Sequence, residues 1–279
     1  MKNFTAKVVT ITGAGSGMGR AYALEFARRG ALLALNDYDS ATLEETVSLL
    51  PSGTTSFASA FDVSDRDAVY RFADEVRGAL GPSHVIINNA GISGSNKPVW
   101  ACSDLDYERL MAINFYGVLH GTRAFLPHLR DNNEGAIVNV SSIFGLTGVP
   151  SHSEYCAAKA AVRGFTESLM VELLHEPITV HLVHPGGVAT NIATDSGKEF
   201  GEKFLRTSPD AIAKEVVDGI LKGRARIVCG HQSRITHFGA NFVPRGILNK
   251  ILWQQISPVL DRSDYPRFMG SANRQQSRS

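Results

Sequence analysis

Short apolar runs alternate along the chain with longer segments in which apolar residues recur at helical spacing. The apolar runs predict buried strands at 8–11, 32–35, 55–61, 85–87, 136–140, 179–183 and 226–229. The longer segments predict helices at 20–27, 41–50, 66–79, 105–129, 154–174 and 209–222. Strands that are apolar throughout and alternate with helices are typical of a parallel sheet that is covered on both faces. The sequence therefore predicts an α/β fold with a doubly wound, mostly parallel sheet of about seven strands.

Local signals indicate where some of the helices begin. Ser208 followed by Pro209 suits a helix start, because serine caps a helix and proline fits its first turn. Ser64 is predicted to cap the helix at 66–79. Asn114 lies within the long helix at 105–129 between apolar neighbours, so we expect its side chain to be partly buried and to need a partner.

A glycine-rich turn joins the first predicted strand to the first predicted helix. It contains Gly13, Ser16, Gly17, Met18 and Gly19. A strand, a glycine turn and a helix together are the context of a Rossmann-type dinucleotide site. There, Gly13 allows a tight turn, Gly17 lets the backbone approach a pyrophosphate, and Gly19 lets the helix pack on the sheet. The spacing is G-x-x-x-G-x-G rather than the usual G-x-G-x-x-G, and a plain loop is the alternative interpretation.

Further candidates for cofactor contacts follow the other predicted strands. Asp37 stands about 20 residues beyond the glycine turn, where a carboxylate binds an adenine ribose and repels a 2′-phosphate, so NAD is favoured over NADP. A turn residue is the alternative for Asp37. Asp62 is either a contact to an adenine edge or the start of a loop. The other candidates are Val63, Asn89, Ala90, Gly91, Pro185, Gly186, Val188 and Thr190.

A tyrosine and a lysine suggest proton-transfer chemistry. Tyr155 and Lys159 are four residues apart in a predicted helix and therefore lie on one face of it. A cation beside a phenol favours the phenolate, so Lys159 is expected to lower the pKa of Tyr155 and make it a general base. Ser142 follows a strand and could reach the same space. Such a pair also occurs by chance in helices, so the pattern leaves a purely structural role open.

Composition and charge exclude several classes of protein. The 279 residues are 43% hydrophobic, and the net charge of +1 gives no reason to expect a nucleic-acid partner. Three dispersed cysteines form no disulfide framework, and the nine histidines show no metal-ligand spacing, so no metal is expected. Because the sequence shows neither a signal segment nor an apolar run long enough to span a bilayer, we expect a cytoplasmic protein.

Taken together and in order, these motifs resemble the classical short-chain dehydrogenase/reductase family over about 7–228. The residues that carry the resemblance are the glycine turn, Asn88-Asn89-Ala90-Gly91, Asn114, Ser142, Tyr155 with Lys159, and Pro185-Gly186 with Thr190. The resemblance implies a catalytic set of Asn114, Ser142, Tyr155 and Lys159.

The family's roles can be transferred to these positions. Tyr155 would be the acid/base and Ser142 would stabilise the substrate oxygen. Lys159 would lower the pKa of Tyr155 and bind the nicotinamide ribose, and Asn114 would hold a water that links Lys159 to solvent. Thr190 would bind the nicotinamide carboxamide. The resemblance also implies a homodimer or homotetramer built partly through the helices near 105–129 and 154–174, where Ala157, Ala158, Ala160, Ala161 and Gly164 permit close packing.

Residues after 228 fall outside the family pattern. We divide the chain into a Rossmann-type NAD-binding and catalytic domain at 1–230 and a C-terminal extension at 231–279, of which 270–279 is expected to be disordered. From 222 to 279 there are ten Lys/Arg against two Asp/Glu. Ile247, Leu248, Ile251, Leu252, Trp253 and Ile256 form an apolar stripe at helical spacing. Three roles are open for this helix. It could cover the substrate pocket or a subunit interface, it could dock on an anionic membrane surface, or it could bind a carrier-linked anionic substrate.

The sequence as a whole predicts an NAD-dependent oxidoreductase that interconverts a secondary alcohol and its ketone. Its pocket is expected to be lined by 94–100, 145–152 and 191–206. Phe144, Leu146, Val149 and Phe200 suggest an apolar and bulky small-molecule substrate, although they could simply anchor loops. The alternative is a regulatory or sensor protein that binds NAD without turnover, for which the proton-transfer group would have no use.

Overall fold

One parallel sheet organises the structure, a computed structural model that describes residues 1–189, 204–260 and 263–265. Within these residues seven strands are hydrogen-bonded in the order β3-β2-β1-β4-β5-β6-β7, and every neighbouring pair is parallel. The predicted doubly wound α/β fold is confirmed. The strands are β1 (Val8–Thr12), β2 (Leu32–Asp37), β3 (Ser56–Ala60), β4 (Val85–Asn88), β5 (Gly135–Val140), β6 (Ile178–Gly186) and β7 (Arg226–Gly230).

Helices cover both faces of the sheet. They are α1 (Gly17–Arg28), α2 (Ser40–Ser48), α3 (Arg66–Leu80), α4 (Asp104–Met111), α5 (Gly117–Asp131), α6 (Ser153–Glu172), α7 (Pro209–Leu221), α8 (Ser233–Phe242) and α9 (Arg245–Ile256). Alternate strand residues serve two cores. One core includes Ile11 and Ile87 with α1 and α7, and the other includes Ile86 and Ile137 with α3, α5 and α6. Strands buried on both faces are apolar at every position, which explains the uninterrupted apolar runs in the sequence.

Two predicted helix features are wrong in detail. The cap of α3 is Asp65 rather than Ser64, because the Asp65 carboxylate accepts a hydrogen bond from the backbone N–H of Ala68. The long helix predicted at 105–129 is not continuous α-helix. A π-helical segment, Ala112–Tyr116, separates α4 from α5 and carries Asn114 into the interior. Such π-helical turns occur frequently at functional sites, where they redirect a side chain.

The C-terminal part of the chain contains a helix, α8, that was not predicted from the sequence. Helix α8 has only small buried residues, Ser233 and Gly239, whereas Ile235, Phe238 and Phe242 are exposed. These three apolar residues recur at helical spacing, so the sequence does carry a signal for α8, although the apolar stripe is exposed rather than buried. Helix α9 occupies the position of the predicted apolar stripe.

We expect Asp65→Ala to lower the free energy of unfolding by about 1 kcal/mol, because the N–H of Ala68 loses its cap. Ser64→Ala is the matched control and should change it by less than about 0.5 kcal/mol. Chemical denaturation of both variants measures the difference. A larger loss in the Ser64 variant would contradict the assignment of the cap.

Candidate active site

Two adjoining cavities lie at the carboxyl ends of the strands. The first, here called the glycine-turn cavity, is lined by ten of the predicted cofactor residues: Gly13, Ser16, Gly17, Met18, Asp37, Asp62, Val63, Asn89, Ala90 and Gly91. The second, here called the tyrosine cavity, lies beside Tyr155 and Ser142. Met18 lines both cavities, so one elongated ligand could extend from one into the other.

Hydrogen bonds to neighbouring side chains fix the conformation of the glycine turn. The backbone N–H of Gly15 donates to Asp37 Oδ2 over 2.7 Å. The Arg20 guanidinium donates to the Gly15 carbonyl over 2.6 Å, and the Thr46 hydroxyl donates to the Ala14 carbonyl over 2.9 Å. Arg20 also forms a salt bridge with Glu45, with 2.6 Å between Arg20 Nη2 and Glu45 Oε2. Arg20 and Thr46 show no signal in the sequence, since only the fold brings their side chains to the carbonyl groups of Gly15 and Ala14.

The glycine turn is also joined to the turn after β4. The Thr12 hydroxyl oxygen accepts hydrogen bonds from the backbone N–H groups of Asn89 and Ala90, both over 3.1 Å. The Asn89 amide in return donates to the carbonyl groups of Thr12 and Gly13. Gly13 has φ +67°, and a Cβ there would lie 2.8 Å from Ala90 Cα. Gly19 lines neither cavity; a Cβ on it would overlap the Gly13 carbonyl, so glycine lets α1 begin directly against the turn.

The tyrosine cavity has mainly apolar walls. It encloses about 180 Å³ and includes Phe144, Val149, Pro185 and Val188 from the predicted regions. The C-terminal part of the chain adds further lining residues, which are His231, Gln232, Thr236, Leu252, Gln255 and Ile256. Of the expected pocket segments, 94–100 contributes Gly94, and 145–152 contributes Thr147, Val149 and His152. The segment 191–206 contributes Phe204 and Leu205 among the described residues, while Phe200 lies outside them.

Tyr155 and Ser142 both line this cavity. Burial raises the pKa of Tyr155 to about 12, although the neighbouring Ser142 hydroxyl acts in the opposite direction. The expected lowering of this pKa by Lys159 is therefore not found, because burial of the phenol dominates. The Lys159 ammonium lies 5.8 Å from the centre of the Tyr155 ring and donates to the Val140 carbonyl over 3.0 Å. Burial lowers the pKa of Lys159 to about 8.

Asn114 is fully buried and holds the turn that lies between the two cavities. Its amide oxygen accepts from the backbone N–H of Ile92 over 2.8 Å, and its amide nitrogen donates to the Ile92 carbonyl over 2.9 Å. This pair of bonds supplies the partner that the sequence analysis expected for Asn114. A Cβ on Gly91 would lie 3.0 Å from Asn114 Oδ1 and 3.4 Å from Lys159 Nζ, so both polar groups border the same small space.

A buried carboxylate next to the tyrosine also holds the loop that follows β4. Glu154 is completely buried, and its Oε1 accepts from the backbone N–H and the hydroxyl of Ser95 over 2.7 and 2.9 Å. Its other oxygen accepts from Cys102 Sγ and the Ser153 hydroxyl. Gly94 packs directly on this carboxylate and lines the tyrosine cavity. Glu154 shows no signal in the sequence, because Ser95 and Cys102, which it binds, lie more than 50 residues away.

The remaining predicted residues have different positions. Pro185 and Val188 line the tyrosine cavity, whereas Gly186 packs against the His231 carbonyl and lines neither cavity. Thr190 lies outside the described residues. The His184 ring, missed in the sequence, is hydrogen-bonded through Nδ1 to the Ser142 carbonyl over 2.9 Å. Among the described residues there is no cluster of three or more side chains that could hold a metal ion.

Comparisons with known proteins agree with this geometry. A family model described as short chain dehydrogenase matches residues 7–200. The chain is 44% identical over 248 residues to SadH of Mycobacterium tuberculosis, which is named as an oxidoreductase; the match covers 84% of this chain and 90% of SadH. It is 37% identical over 227 residues to mouse epidermal retinol dehydrogenase 2, covering 79% of this chain and 73% of that protein.

A solved structure has the same fold. A short-chain dehydrogenase/reductase of Burkholderia phymatum, crystallised in complex with NAD, superimposes with a TM-score of 0.77 at 31% identity. The superposition covers 81% of this chain and 90% of that one. With the family match over 7–200 and the identity to SadH, these similarities show that the chain belongs to the short-chain dehydrogenase family.

Proposed function

We propose that the protein is an NAD-dependent oxidoreductase that interconverts a secondary alcohol and its ketone, with Tyr155 as the acid/base. The observation that carries the proposal is that Tyr155 and Ser142 line one largely apolar cavity, which adjoins the glycine-turn cavity at Met18. A proton-transfer group beside a cofactor-sized cleft is the arrangement that carbonyl reduction requires.

The residues of the glycine-turn cavity fit NAD. Gly17 has φ +51° and begins α1, so the backbone N–H groups of the helix start face the cavity and suit a pyrophosphate. Asp37 stands at the end of β2 on the wall of the cavity, where a carboxylate can accept from ribose hydroxyl groups. Arg20 does not line this cavity and is paired with Glu45, so it offers no positive charge to a 2′-phosphate there. NAD supplies the hydride acceptor or donor when it is bound.

The proton-transfer groups have a resting state that suits ketone reduction. At neutral pH both Tyr155, with a pKa of about 12, and Lys159, with a pKa of about 8, carry their protons. Tyr155 can therefore donate a proton to the oxygen of a ketone, while Ser142 donates a hydrogen bond to the same oxygen and stabilises its developing charge. In alcohol oxidation the phenol must first lose its proton, so this direction is favoured by a higher pH.

Proton supply to Tyr155 is assigned to Lys159 and Asn114. Lys159 Nζ and Asn114 Oδ1 both border Gly91, and a water between them would connect the ammonium to the outside of the site. Lys159 is the readier of the two acids to exchange its proton, because burial lowers its pKa while it raises that of Tyr155.

The lining of the tyrosine cavity favours an apolar substrate. Phe144, Val149, Leu252 and Ile256 form much of the wall, and Phe144 packs edge-on against Tyr155 with ring centres 6.2 Å apart. Epidermal retinol dehydrogenase 2 is named for a large apolar alcohol, which supports the same substrate class. Retinol is a primary alcohol, so the assay for this protein should include primary as well as secondary alcohols.

A homodimer or homotetramer is part of the proposal. Of the five small residues predicted to permit close packing, Ala157, Ala160 and Gly164 lie on an exposed strip of α6, and Ala158 is buried. A Cβ on Gly164 would meet no atom within 4 Å. A second copy could approach this strip closely, because no long side chain separates the helices there.

Tyr155→Phe distinguishes an enzyme from an NAD-binding sensor. We expect the variant to lose about 10²- to 10⁴-fold in turnover, because the proton donor is gone, and to keep its affinity for NADH. Turnover is measured with a panel of primary alcohols, secondary alcohols and ketones from the change in NADH absorbance. NADH binding is measured by fluorescence titration.

Tyr116→Phe is the control, since Tyr116 is half exposed and lines neither cavity. Natural protein that binds NADH but turns over no member of the panel would favour the sensor. Turnover of primary alcohols only would refute the secondary-alcohol assignment and leave the role of Tyr155 intact.

Asp37→Asn tests the choice of cofactor. The variant keeps an oxygen for the N–H of Gly15 and removes the negative charge that repels a 2′-phosphate. We expect the ratio of kcat/KM for NAD to that for NADP to fall by about ten-fold or more, which corresponds to about 1.4 kcal/mol. A strong preference of the natural protein for NADPH would show that Asp37 does not select the cofactor.

Glu154→Ala tests whether the buried carboxylate positions the loop at the tyrosine cavity. Loss of its four hydrogen bonds should raise the KM for the alcohol or ketone by about ten-fold and leave the KM for NAD nearly unchanged. Glu154→Gln keeps an oxygen that can accept from Ser95, so its KM for the alcohol or ketone should stay close to that of the natural protein. Glu172→Ala on the exposed end of α6 is the control. Equal changes in both KM values would indicate general damage instead.

A further inference from the structure

Helices α8 and α9 pack against each other and leave an apolar surface uncovered. Gly239 of α8 meets Leu248 of α9, where a Cβ on the glycine would lie 3.4 Å from Leu248 Cδ1. The outer face, as we call it, consists of Ile235, Phe238 and Phe242 on α8 and Ile247 and Ile251 on α9. All five are exposed, from 40% for Ile251 to 76% for Ile235. Large exposed apolar residues on successive helices indicate an interaction surface.

The charges around the outer face are positive. On α8, Arg234 precedes Phe238 by four residues and therefore lies on the same side of the helix. On α9, Lys250 flanks Ile251. No Asp or Glu occurs from 219 to 260. Glu215 of α7 lies 3.7 Å from Arg234, but Arg234 is 84% exposed, so this pair screens its charge only weakly.

We propose that the outer face binds peripherally to the surface of an anionic lipid bilayer. Phe238 and Phe242, whose rings pack together at 5.0 Å, would enter the boundary between head groups and acyl chains, and Arg234 and Lys250 would meet anionic head groups. No helix in the described part of the chain is long and apolar enough to cross a membrane.

The charge pattern favours lipid over a second copy of this chain. In a two-fold contact the outer face would meet itself, and its basic residues would face basic residues without an acidic partner in 219–260. An anionic bilayer supplies the missing negative charge. The opposite side of α9 contributes Leu252 and Ile256 to the tyrosine cavity, so docking would hold that cavity close to the membrane.

Vesicle flotation of the full chain tests the proposal without any need for turnover. Vesicles are made of phosphatidylcholine alone or with about one-third phosphatidylglycerol. We expect the protein to float with the anionic vesicles and to bind them about ten-fold more weakly at high salt. Phe238→Ser with Phe242→Ser should lower binding to both kinds of vesicle by about ten-fold or more. Arg234→Gln with Lys250→Gln should remove the preference for the anionic vesicles.

Leu105→Ser is the matched control, since Leu105 is 72% exposed on α4, away from the outer face, and its replacement should leave flotation unchanged. Thermal melting and NADH titration of each variant confirm that it is folded. Absence of flotation, or flotation that persists in the double phenylalanine variant, overturns the proposal. A smaller particle mass of that variant in analytical ultracentrifugation, without a loss of flotation, assigns the outer face to contacts between copies instead.

Discussion

The exchange of hydrogen bonds between Thr12 and Asn89 is the contact on which the rest of the site depends. The Thr12 hydroxyl receives two backbone N–H groups from the turn after β4, and the Asn89 amide returns two hydrogen bonds to the glycine turn. These hydrogen bonds fix the distance between the carboxyl ends of β1 and β4, which are neighbouring strands. Because the turn after β4 also contacts Asn114 and lies beside Lys159, this separation sets the distance from the glycine-turn cavity to the tyrosine cavity.

Burial is the second constraint, and it acts in opposite ways on Tyr155 and Lys159, the two groups proposed to transfer protons. It raises the pKa of the Tyr155 phenol and lowers that of the Lys159 ammonium, so both groups are driven towards their neutral forms. The chain compensates for part of this cost with local partners, the Ser142 hydroxyl for the phenol and the Val140 carbonyl for the ammonium. A site of this kind is held in place by the remainder of the fold rather than by the attraction of its own charges.

The sequence predicts the sheet and most of the cavity residues, because both depend on local patterns. Apolar runs specify buried strands, and glycine residues at strand ends mark where a ligand can approach. Arg20, Thr46 and Glu154 could not be found in this way, since each acts on a partner that only the tertiary fold brings near. The capping of α3 was misplaced by one residue because serine and aspartate cap helices equally well. Helix α8 was not predicted although Ile235, Phe238 and Phe242 recur at helical spacing; only the fold shows that this apolar stripe is exposed.

Different stretches of the sequence line the two cavities. The residues that line the glycine-turn cavity lie between 13 and 113, whereas Leu252, Gln255 and Ile256 of α9 line part of the tyrosine cavity. Helices α8 and α9 follow the last strand, so they can vary in length and composition without disturbing the register of the sheet. A lineage could therefore acquire new substrates by changing its C-terminal helices while it keeps its cofactor. Exchange of this segment between relatives would change the wall of the tyrosine cavity and leave the lining of the glycine-turn cavity as it is.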